Sequence, residues 1–246
     1  MRTKMIGFIA AALLLPGIAV AASGVALEHA GTDIHNTASL QRGARNFVNY
    51  CLGCHSAQYV RWNRVGADLG INEDDLEQSL MFTGGKPFDT IRSAMPRREA
   101  TEWFGVAPPD LSLIARSRGV DYIYTFLRSY YADESRPTGV NNLVLANTAM
   151  PHVLADLQGV HVAQVELRTE GGSTQSHIVG LAEGRPGALS AAEYDEFVRD
   201  TVNFLDYMGE PIKAKRQKMG VWVVLFLLVF ALFAWLLKKE YWKDVR

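Results

Sequence analysis

The sequence of 246 residues contains only two cysteines, and both lie in one five-residue segment. Structural zinc sites normally take four protein ligands, and no second cysteine pair is present to complete one. Positive and negative side chains nearly balance, with a formal net charge of -1, which gives no reason to expect a nucleic-acid partner. No internal repeat or long low-complexity tract is evident, so we expect one extended core rather than several domains.

The two cysteines belong to the pattern Cys-x-x-Cys-His, formed by Cys51, Cys54 and His55. Two thiols at i and i+3 suit the two vinyl groups of one porphyrin, and the following imidazole lies under the iron. A zinc site completed by other ligands and a thioredoxin-like redox pair are the alternatives, but the latter motif belongs to a cytosolic βαβ unit. The pattern therefore predicts one covalent c-type haem.

The N-terminus has the organisation of an export signal. Arg2 and Lys4 precede an apolar run over 5–20, which closes in the A-x-A-like sequence 19–21. This pattern predicts a signal peptide over 1–21, and a retained N-terminal anchor is the alternative. Export agrees with haem attachment outside the cytoplasm.

A second apolar run lies near the C-terminus, with no charged residue from Met219 to Leu237. At ~1.5 Å per residue this run is close to the ~30 Å of the hydrocarbon core, so it predicts one transmembrane helix. Trp222 near one end and Trp235 near the other suit the membrane interfaces. Lysine and arginine are equally frequent on both sides, so the export signal decides the orientation. The predicted division is a signal at 1–21, an extracytoplasmic domain at 22–218, a span at 219–237 and a cytoplasmic tail at 238–246.

The predicted fold of the extracytoplasmic domain is mainly α-helical. Apolar periodicity, N-cap residues and turn signals support the assignments. The expected elements are a helix over 37–50, a helix over 73–82 capped by Asn72, a helix starting at 108–110, a helix over 122–131 capped by Asp121, a small β-hairpin within 160–182, and a helix over 191–208 opened by a Ser190/Glu193 capping box.

A thioether is the usual sixth ligand of an electron-transfer haem that has one histidine ligand. Two methionines outside the apolar runs precede a proline, Met95 and Met150. Charged residues follow Met95, whereas small residues precede Met150 and an apolar run follows it, so the residues favour Met150. His152 leaves bis-histidine ligation open as an alternative.

Several segments resemble the cytochrome c1 family, the haem subunits of cytochrome bc1 complexes, in its bacterial form. The segments are CLGCHS at 51–56, WFGVAPPDLSLIARSRG at 103–119, YIYTFLRSYY at 122–131, AMPHVLADLQG at 149–159 and FLDYMGEPIKAKRQKMG at 204–220. The resemblance implies a cytochrome c-like haem domain with a small β-hairpin insertion and one C-terminal transmembrane helix.

The resemblance also implies a site and an assembly. Cys51 and Cys54 would form the thioethers, His55 and Met150 would ligate the iron, and Pro108 and Pro109 would pack near the haem edge. In mitochondrial relatives an arginine contacts a haem propionate where Ala100 stands here. The candidates to replace it are Arg97, Arg98 and Arg116.

The implied function is a one-electron relay from a Rieske iron-sulfur protein to a cytochrome c acceptor, beside cytochrome b in a dimeric complex of the bacterial inner membrane. The haem domain would lie in the periplasm and the C-terminus in the cytoplasm. A tethered haem sensor or peroxidase, or a cytochrome attached to another oxidoreductase, is the alternative. The acidic residues at 73–77 are explained either by the helix dipole or by steering of a basic cytochrome.

Overall fold

The computed structural model describes residues 25–170 and 173–244. The predicted signal peptide, at 1–21, lies outside the described residues. The elements in chain order are α1 (Thr37–Tyr50), β1 (Ala57–Arg61), α2 (Trp62–Leu69), α3 (Glu73–Ser79), β2 (Thr90–Ile91), α4 (Arg97–Phe104), α5 (Ile114–Arg118), α6 (Val120–Arg128), β3 (Tyr130–Ala132), β4 (Val140–Asn142), α7 (Ala155–Gln158), β5 (Gly159–Glu170), β6 (Ser173–Pro186), α8 (Ala191–Gly209) and α9 (Lys213–Tyr241). The fold is mainly helical, as predicted.

Helices α1 and α8 form the centre of the domain and cross at close range. The approach requires glycine at Gly43, because a Cβ there would lie 2.1 Å from the main-chain oxygen of Asp200. Phe47 and Phe204 pack beside this crossing with ring centroids 5.7 Å apart. The prediction of α1 is confirmed at both ends, and Asn36 caps it by accepting a hydrogen bond from the Ser39 main chain.

Helix α8 opens with the predicted capping box, in which Ser190 and Glu193 satisfy each other's main-chain N–H groups. The helix runs one residue beyond the predicted end. Its last two turns are buried on almost every face, because α1, α5 and α6 all pack against it. Pro211 then separates it from α9, as predicted.

Three of the predicted helices have wrong boundaries. The helix expected at 108–110 begins only at Ile114, since Asp110 uses its carboxylate to accept the main-chain N–H groups of Gln58 and Ser112. Asp121 lies in the first turn of α6 rather than at its N-cap, and its carboxylate accepts the N–H of Ala30. That helix ends at Arg128 because the chain continues as strand β3.

The third helix with a wrong boundary is α3, which ends at Ser79 rather than at 82. Beyond it the chain turns to bury Leu80 and Met81 and leaves Phe82 exposed. The Asn72 cap itself is confirmed, since its side chain accepts the Asp75 N–H at 2.8 Å. The acidic residues of the first turn therefore lie at the positive end of the helix dipole, as the capping interpretation expects.

Strands in the described residues form three two-stranded antiparallel sheets. The largest is the hairpin of β5 and β6, which pairs Gly159 with Pro186 and Glu170 with Ser173 at its two ends. The hairpin was predicted but is longer than the small insertion expected. Its side chains near Val165 and Leu167 are exposed, so most of the ribbon lies outside the core.

Helix α9 is the candidate transmembrane helix. It spans 29 residues, with a mean hydropathy of 2.7 in its most apolar 18-residue window, and none of that window is buried. The predicted apolar run over 219–237 lies entirely inside it. The helix is therefore long and apolar enough to cross a membrane.

Candidate functional site

The Cys-x-x-Cys-His segment directly follows helix α1. Cys51 is the C-cap residue, and its N–H donates to the Phe47 carbonyl at 2.8 Å. The Cys51 carbonyl in turn accepts the N–H groups of Cys54 at 3.1 Å and His55 at 2.8 Å. One compact turn therefore brings the two thiols and the imidazole together at the end of a buried helix.

Burial keeps both thiols uncharged. It raises the pKa of Cys51 to about 12, with a smaller contribution from the neighbouring Cys54, and it also raises the pKa of Cys54. A reactive redox cysteine needs the opposite shift, because the thiolate is the nucleophile. A thioether is neutral as well, so these sulfur positions suit covalent attachment to a porphyrin and argue against a thioredoxin-like pair.

His55 is held in the tautomer that an iron ligand requires. Its Nδ1 lies 2.7 Å from the main-chain oxygen of Pro109, and a carbonyl can only accept, so Nδ1 carries the proton. The other ring nitrogen, Nε2, then has a lone pair to offer to a metal. Burial lowers the pKa of His55, against the opposing effects of the Pro109 hydrogen bond and the Asp110 carboxylate, and so favours the neutral ring.

The proline pair therefore has two distinct places in the site. Pro109 orients His55 through its carbonyl, while Pro108 lines a cavity of about 210 Å³ beside Cys54. The resemblance implied only packing near the haem edge, so the role of the Pro109 carbonyl is an addition from the structure.

Two polar residues that sequence reasoning missed fix this loop. Asp110 accepts the Gln58 N–H at 2.9 Å, and Ser112 accepts the Tyr59 N–H at 3.1 Å through its hydroxyl. The Leu111 N–H also donates to the Ser56 carbonyl. The segment after the prolines is thereby tied to the segment after the motif. An Asp followed by a Ser after two prolines is a turn signal that could have indicated this.

The cavity beside Cys54 has a basic and partly apolar wall. Its lining comprises Cys54, Ser56, Gln58, Arg92, Ser93, Met95, Arg97, Ala100, Pro108 and Asp110. A second cavity of about 420 Å³ shares Arg92 and Ser93 with it and extends past Arg61 and Gly85. The two cavities together leave open space next to the cysteine that is expected to carry a porphyrin.

The arginine candidates occupy different positions. Arg97 lines the cavity and lies one turn before the buried Ala100 on α4. Arg98 is exposed and pairs with Glu102, while Arg116 packs against Gly209 of α8. Arg92, which the sequence reasoning did not consider, also lines the cavity.

The two candidate methionines lie in different environments. Met95 lines the cavity with Cys54, but its neighbours Ala94, Pro96 and Arg97 are all exposed. The residues after it form the first turn of α4 rather than the loop expected. Met150 is not among the residues that line the cavity; it is half-buried and packs against the hydrophobic core.

The main chain of Met150 is held on both sides. Its N–H donates to the Thr148 hydroxyl at 3.3 Å, and its carbonyl accepts the Tyr130 hydroxyl at 3.2 Å. The preceding Asn147 has a φ of 63°, and its N–H donates to the Asn141 side chain. The loop that carries Met150 is thus fixed by specific hydrogen bonds.

Most of the remaining histidines have surroundings that do not suggest a sixth ligand for the iron. His29 and His35 are exposed and contact Asp121 and Gln217. His161 lies next to Gln158, and the side chain of His177 is outside the described part of the hairpin. His152 differs, because it stacks on Tyr130 two residues beyond Met150. In the described residues no group of three or more His, Cys, Asp or Glu side chains is arranged to hold a metal ion.

Comparison with known proteins places the whole domain and the C-terminal helix in one family. Residues 28–245 match the family described as the Cytochrome C1 family. The chain is 51% identical to cytochrome c1 of Allochromatium vinosum over 235 residues, covering 95% of this chain and 96% of that protein. It is 45% identical to a Nitrosomonas europaea protein named ammonia monooxygenase gamma subunit, covering 98% of this chain and 99% of that protein. It is 30% identical to cytochrome c1 of Rhodospirillum rubrum, covering 84% of this chain and 82% of that protein.

Proposed function

Because the chain belongs to the cytochrome c1 family, we propose that it relays single electrons from a Rieske iron-sulfur protein to a cytochrome c acceptor. Proteins of this family carry a covalently attached c-type haem and serve as electron-transfer subunits of the bc1 complex. The observation that carries the proposal is His55, fixed with its proton on Nδ1 directly after two half-buried thiols.

The residues of the site fit the haem. Cys51 and Cys54 would hold it through thioethers, and His55 would ligate the iron through Nε2. When bound, the haem supplies an iron that alternates between the ferrous and ferric states. The protein contributes a fixed imidazole, a compact attachment turn and a cavity lined by Cys54 and Pro108.

We assign Met150 as the sixth ligand. Its immobilised main chain and its packing against the core support this choice, because a thioether bond to iron is stable where water is excluded. Met95 lies between exposed residues, where water would compete. Two fixed ligands leave no open position on the iron, which suits electron transfer rather than oxygen or peroxide chemistry.

For the propionates we propose Arg97 as a partner, with Arg92 in support. Both arginines line the cavity beside Cys54, and Arg97 lies on the same face of α4 as Ala100. A guanidinium suits a carboxylate because it donates two parallel hydrogen bonds. Pro108, on the same wall, would cover part of the ring.

The membrane arrangement is also a proposal. Helix α9 would cross the bacterial inner membrane once, with 22–218 in the periplasm and 238–246 in the cytoplasm. Its side chains are exposed along the whole apolar run, including Phe226 and Phe230, which leaves them free to contact lipid and cytochrome b. The assembly would be a dimer of protomers, each with cytochrome b and the Rieske protein.

The relative named as an ammonia monooxygenase subunit gives a second possible assembly for the same haem subunit. The test is to purify the intact complex from membranes through a C-terminal tag and identify the other chains by mass spectrometry. We expect cytochrome b and an iron-sulfur protein to co-purify, and quinol to reduce added cytochrome c. Co-purification with monooxygenase chains instead, without quinol-dependent reduction, would contradict the relay.

Ligation is tested separately by optical spectra of the oxidised complex. Met150→Leu is expected to abolish the iron–thioether charge-transfer band and lower the midpoint potential, because thioether ligation favours ferrous iron. The matched control is Met95→Leu, which is expected to change neither. Loss of the band in the Met95 variant alone would reverse the assignment.

A further inference from the structure

The loop that carries Met150 depends on one buried tyrosine. Tyr130 is 1% exposed and donates its hydroxyl hydrogen to the Met150 carbonyl. The orientation of Met150 is therefore coupled to a residue of strand β3.

The same tyrosine ring holds His152. The two rings lie flat on each other, with centroids 4.6 Å apart and planes at 3°. The Tyr130 ring also contacts Phe126 edge to face, with ring centroids 5.3 Å apart, and Phe126 stacks on Tyr122. The imidazole is thus attached to an aromatic row that is anchored in helix α6.

His152 has a nitrogen that the protein leaves unsatisfied. Its Nε2 is buried and has no hydrogen-bond partner within 3.5 Å in the described part of the chain, although the Gly159 main chain and the Gln158 side chain lie close to the ring. Buried polar atoms are nearly always paired, so an unpaired imidazole nitrogen two residues from an iron ligand calls for an explanation. An imidazole nitrogen is also a strong ligand for haem iron.

We propose that Tyr130 selects the sixth ligand: its hydrogen bond fixes Met150 toward the iron, and its stacked ring holds the imidazole of His152 back. The inference rests on the proposed ligation by Met150. His152 cannot turn toward another partner without losing the stacking contact, and the Met150 carbonyl cannot move without losing its donor. Tyr130 is a positioning residue in this scheme, since it acts on the iron through its neighbours.

The experiment compares Tyr130→Phe and Tyr130→Leu in the intact, haem-loaded complex, with the adjacent Tyr131→Phe as the control. Tyr130→Phe removes one neutral hydrogen bond, which corresponds to about fivefold weaker retention of the methionine. We expect added imidazole to bind the ferric haem about five times more tightly in Tyr130→Phe than in the control. Equal imidazole affinity in both variants would overturn the proposal.

Tyr130→Leu removes the stack as well. We expect loss of the thioether band, a bis-imidazole signal in the electron paramagnetic resonance spectrum and a lower midpoint potential. That signal should disappear when His152→Leu is added. An unchanged thioether band, or a lost band without a bis-imidazole signal, would refute the selection of ligand by Tyr130.

The outcomes separate this inference from the ligation on which it rests. If Met150→Leu keeps the thioether band, the ligation by Met150 is wrong. If Met150→Leu loses the band while both Tyr130 variants match the control, only the role of Tyr130 is wrong. Should Tyr130→Leu fail to assemble, the imidazole affinity of Tyr130→Phe still decides.

Discussion

Two long helices that follow each other in the chain relate to their surroundings in opposite ways. Helix α8 is rich in polar residues and yet buried over most of its second half, including Asp200, Thr201, Asn203 and Asp206. Helix α9 is apolar over its central run and has no buried residue. The difference shows that burial in the fold and apolar composition are separate properties, because the medium around α9 is expected to be lipid rather than water.

Most buried polar groups of α8 are tolerated because they have partners, although Asn203 Oδ1 has none within the described residues. Asp200 accepts hydrogen bonds from Arg42 and from the Ser39 hydroxyl, and Asp206 pairs with Lys213. Asn203 donates to the Asp33 carbonyl. These contacts join α8 to α1 and to the start of α9. The polar side of α8 therefore fixes its position through particular hydrogen bonds, whereas its apolar side packs by shape alone.

The largest loss of folding stability is expected from a substitution at the crossing of α1 and α8. Gly43→Ala places a Cβ 2.1 Å from the Asp200 main-chain oxygen and 2.7 Å from Phe204 Cβ, so the helices must separate. We expect a loss of about 3 kcal/mol in the free energy of unfolding, measured by denaturant titration of the detergent-solubilised holoprotein. The control, Gly220→Ala in α9, meets nothing within 4 Å and should stay within about 1 kcal/mol of the original chain.

A charge in the middle of α9 is expected to cost a similar amount of free energy, but in membrane insertion rather than in folding. Leu228→Lys places an ammonium at the centre of the apolar run, where insertion costs about 3 kcal/mol. Less of the chain should remain in the membrane pellet after alkaline extraction, while the absorption spectrum of the haem stays unchanged. Leu228→Ala is the control, and equal retention of both variants would contradict a membrane-spanning α9.

Removal of the buried carboxylate of α8 is expected to have an intermediate effect. Asp200→Ala leaves the Ser39 hydroxyl without its acceptor and leaves Arg42 paired with Glu196 alone. We expect a cost of about 2 kcal/mol, because Arg42 is partly exposed and water replaces some of the interaction. Thermal unfolding gives the measurement. Adding Arg42→Ala should recover part of the loss, and full additivity of the two substitutions would mean that the pair is not coupled.

The smallest effect is expected at the start of α8. Hydrogen bonds from the Ser190 side chain, and then from its main chain, lower the pKa of Glu193 below its ordinary value of 4.5. A carboxylate with a lowered pKa stabilises the fold above its ordinary pKa, and this stabilisation is lost as the pH falls through the folded value. Glu193→Gln should therefore destabilise the protein at pH 7 but much less near pH 3. A difference that is independent of pH would contradict a role for the charged carboxylate.

Prediction from sequence succeeded where the signal lies within a short segment. Helix α1, the capping box of α8 and the apolar run of α9 depend on residues within a few turns of each other, and all three are confirmed. It failed where a distant partner intervenes. Asp110 and Asp121 both looked like helix-starting residues, but Gln58 and Ala30 engage their carboxylates from elsewhere in the chain.

For the site, the sequence by itself determined the attachment motif, because two thiols and an imidazole at this spacing form a complete local unit. It also determined the long apolar helix α9 and, through several matching segments, the family. Only the tertiary structure decided that His55 carries its proton on Nδ1, since the acceptor is Pro109, 54 residues away. The same holds for Tyr130, whose contacts with Met150 and His152 arise where separate loops pack together. A short sequence pattern is enough to identify the attachment chemistry. The orientation of an iron-ligating side chain depends instead on contacts between segments that only folding brings together.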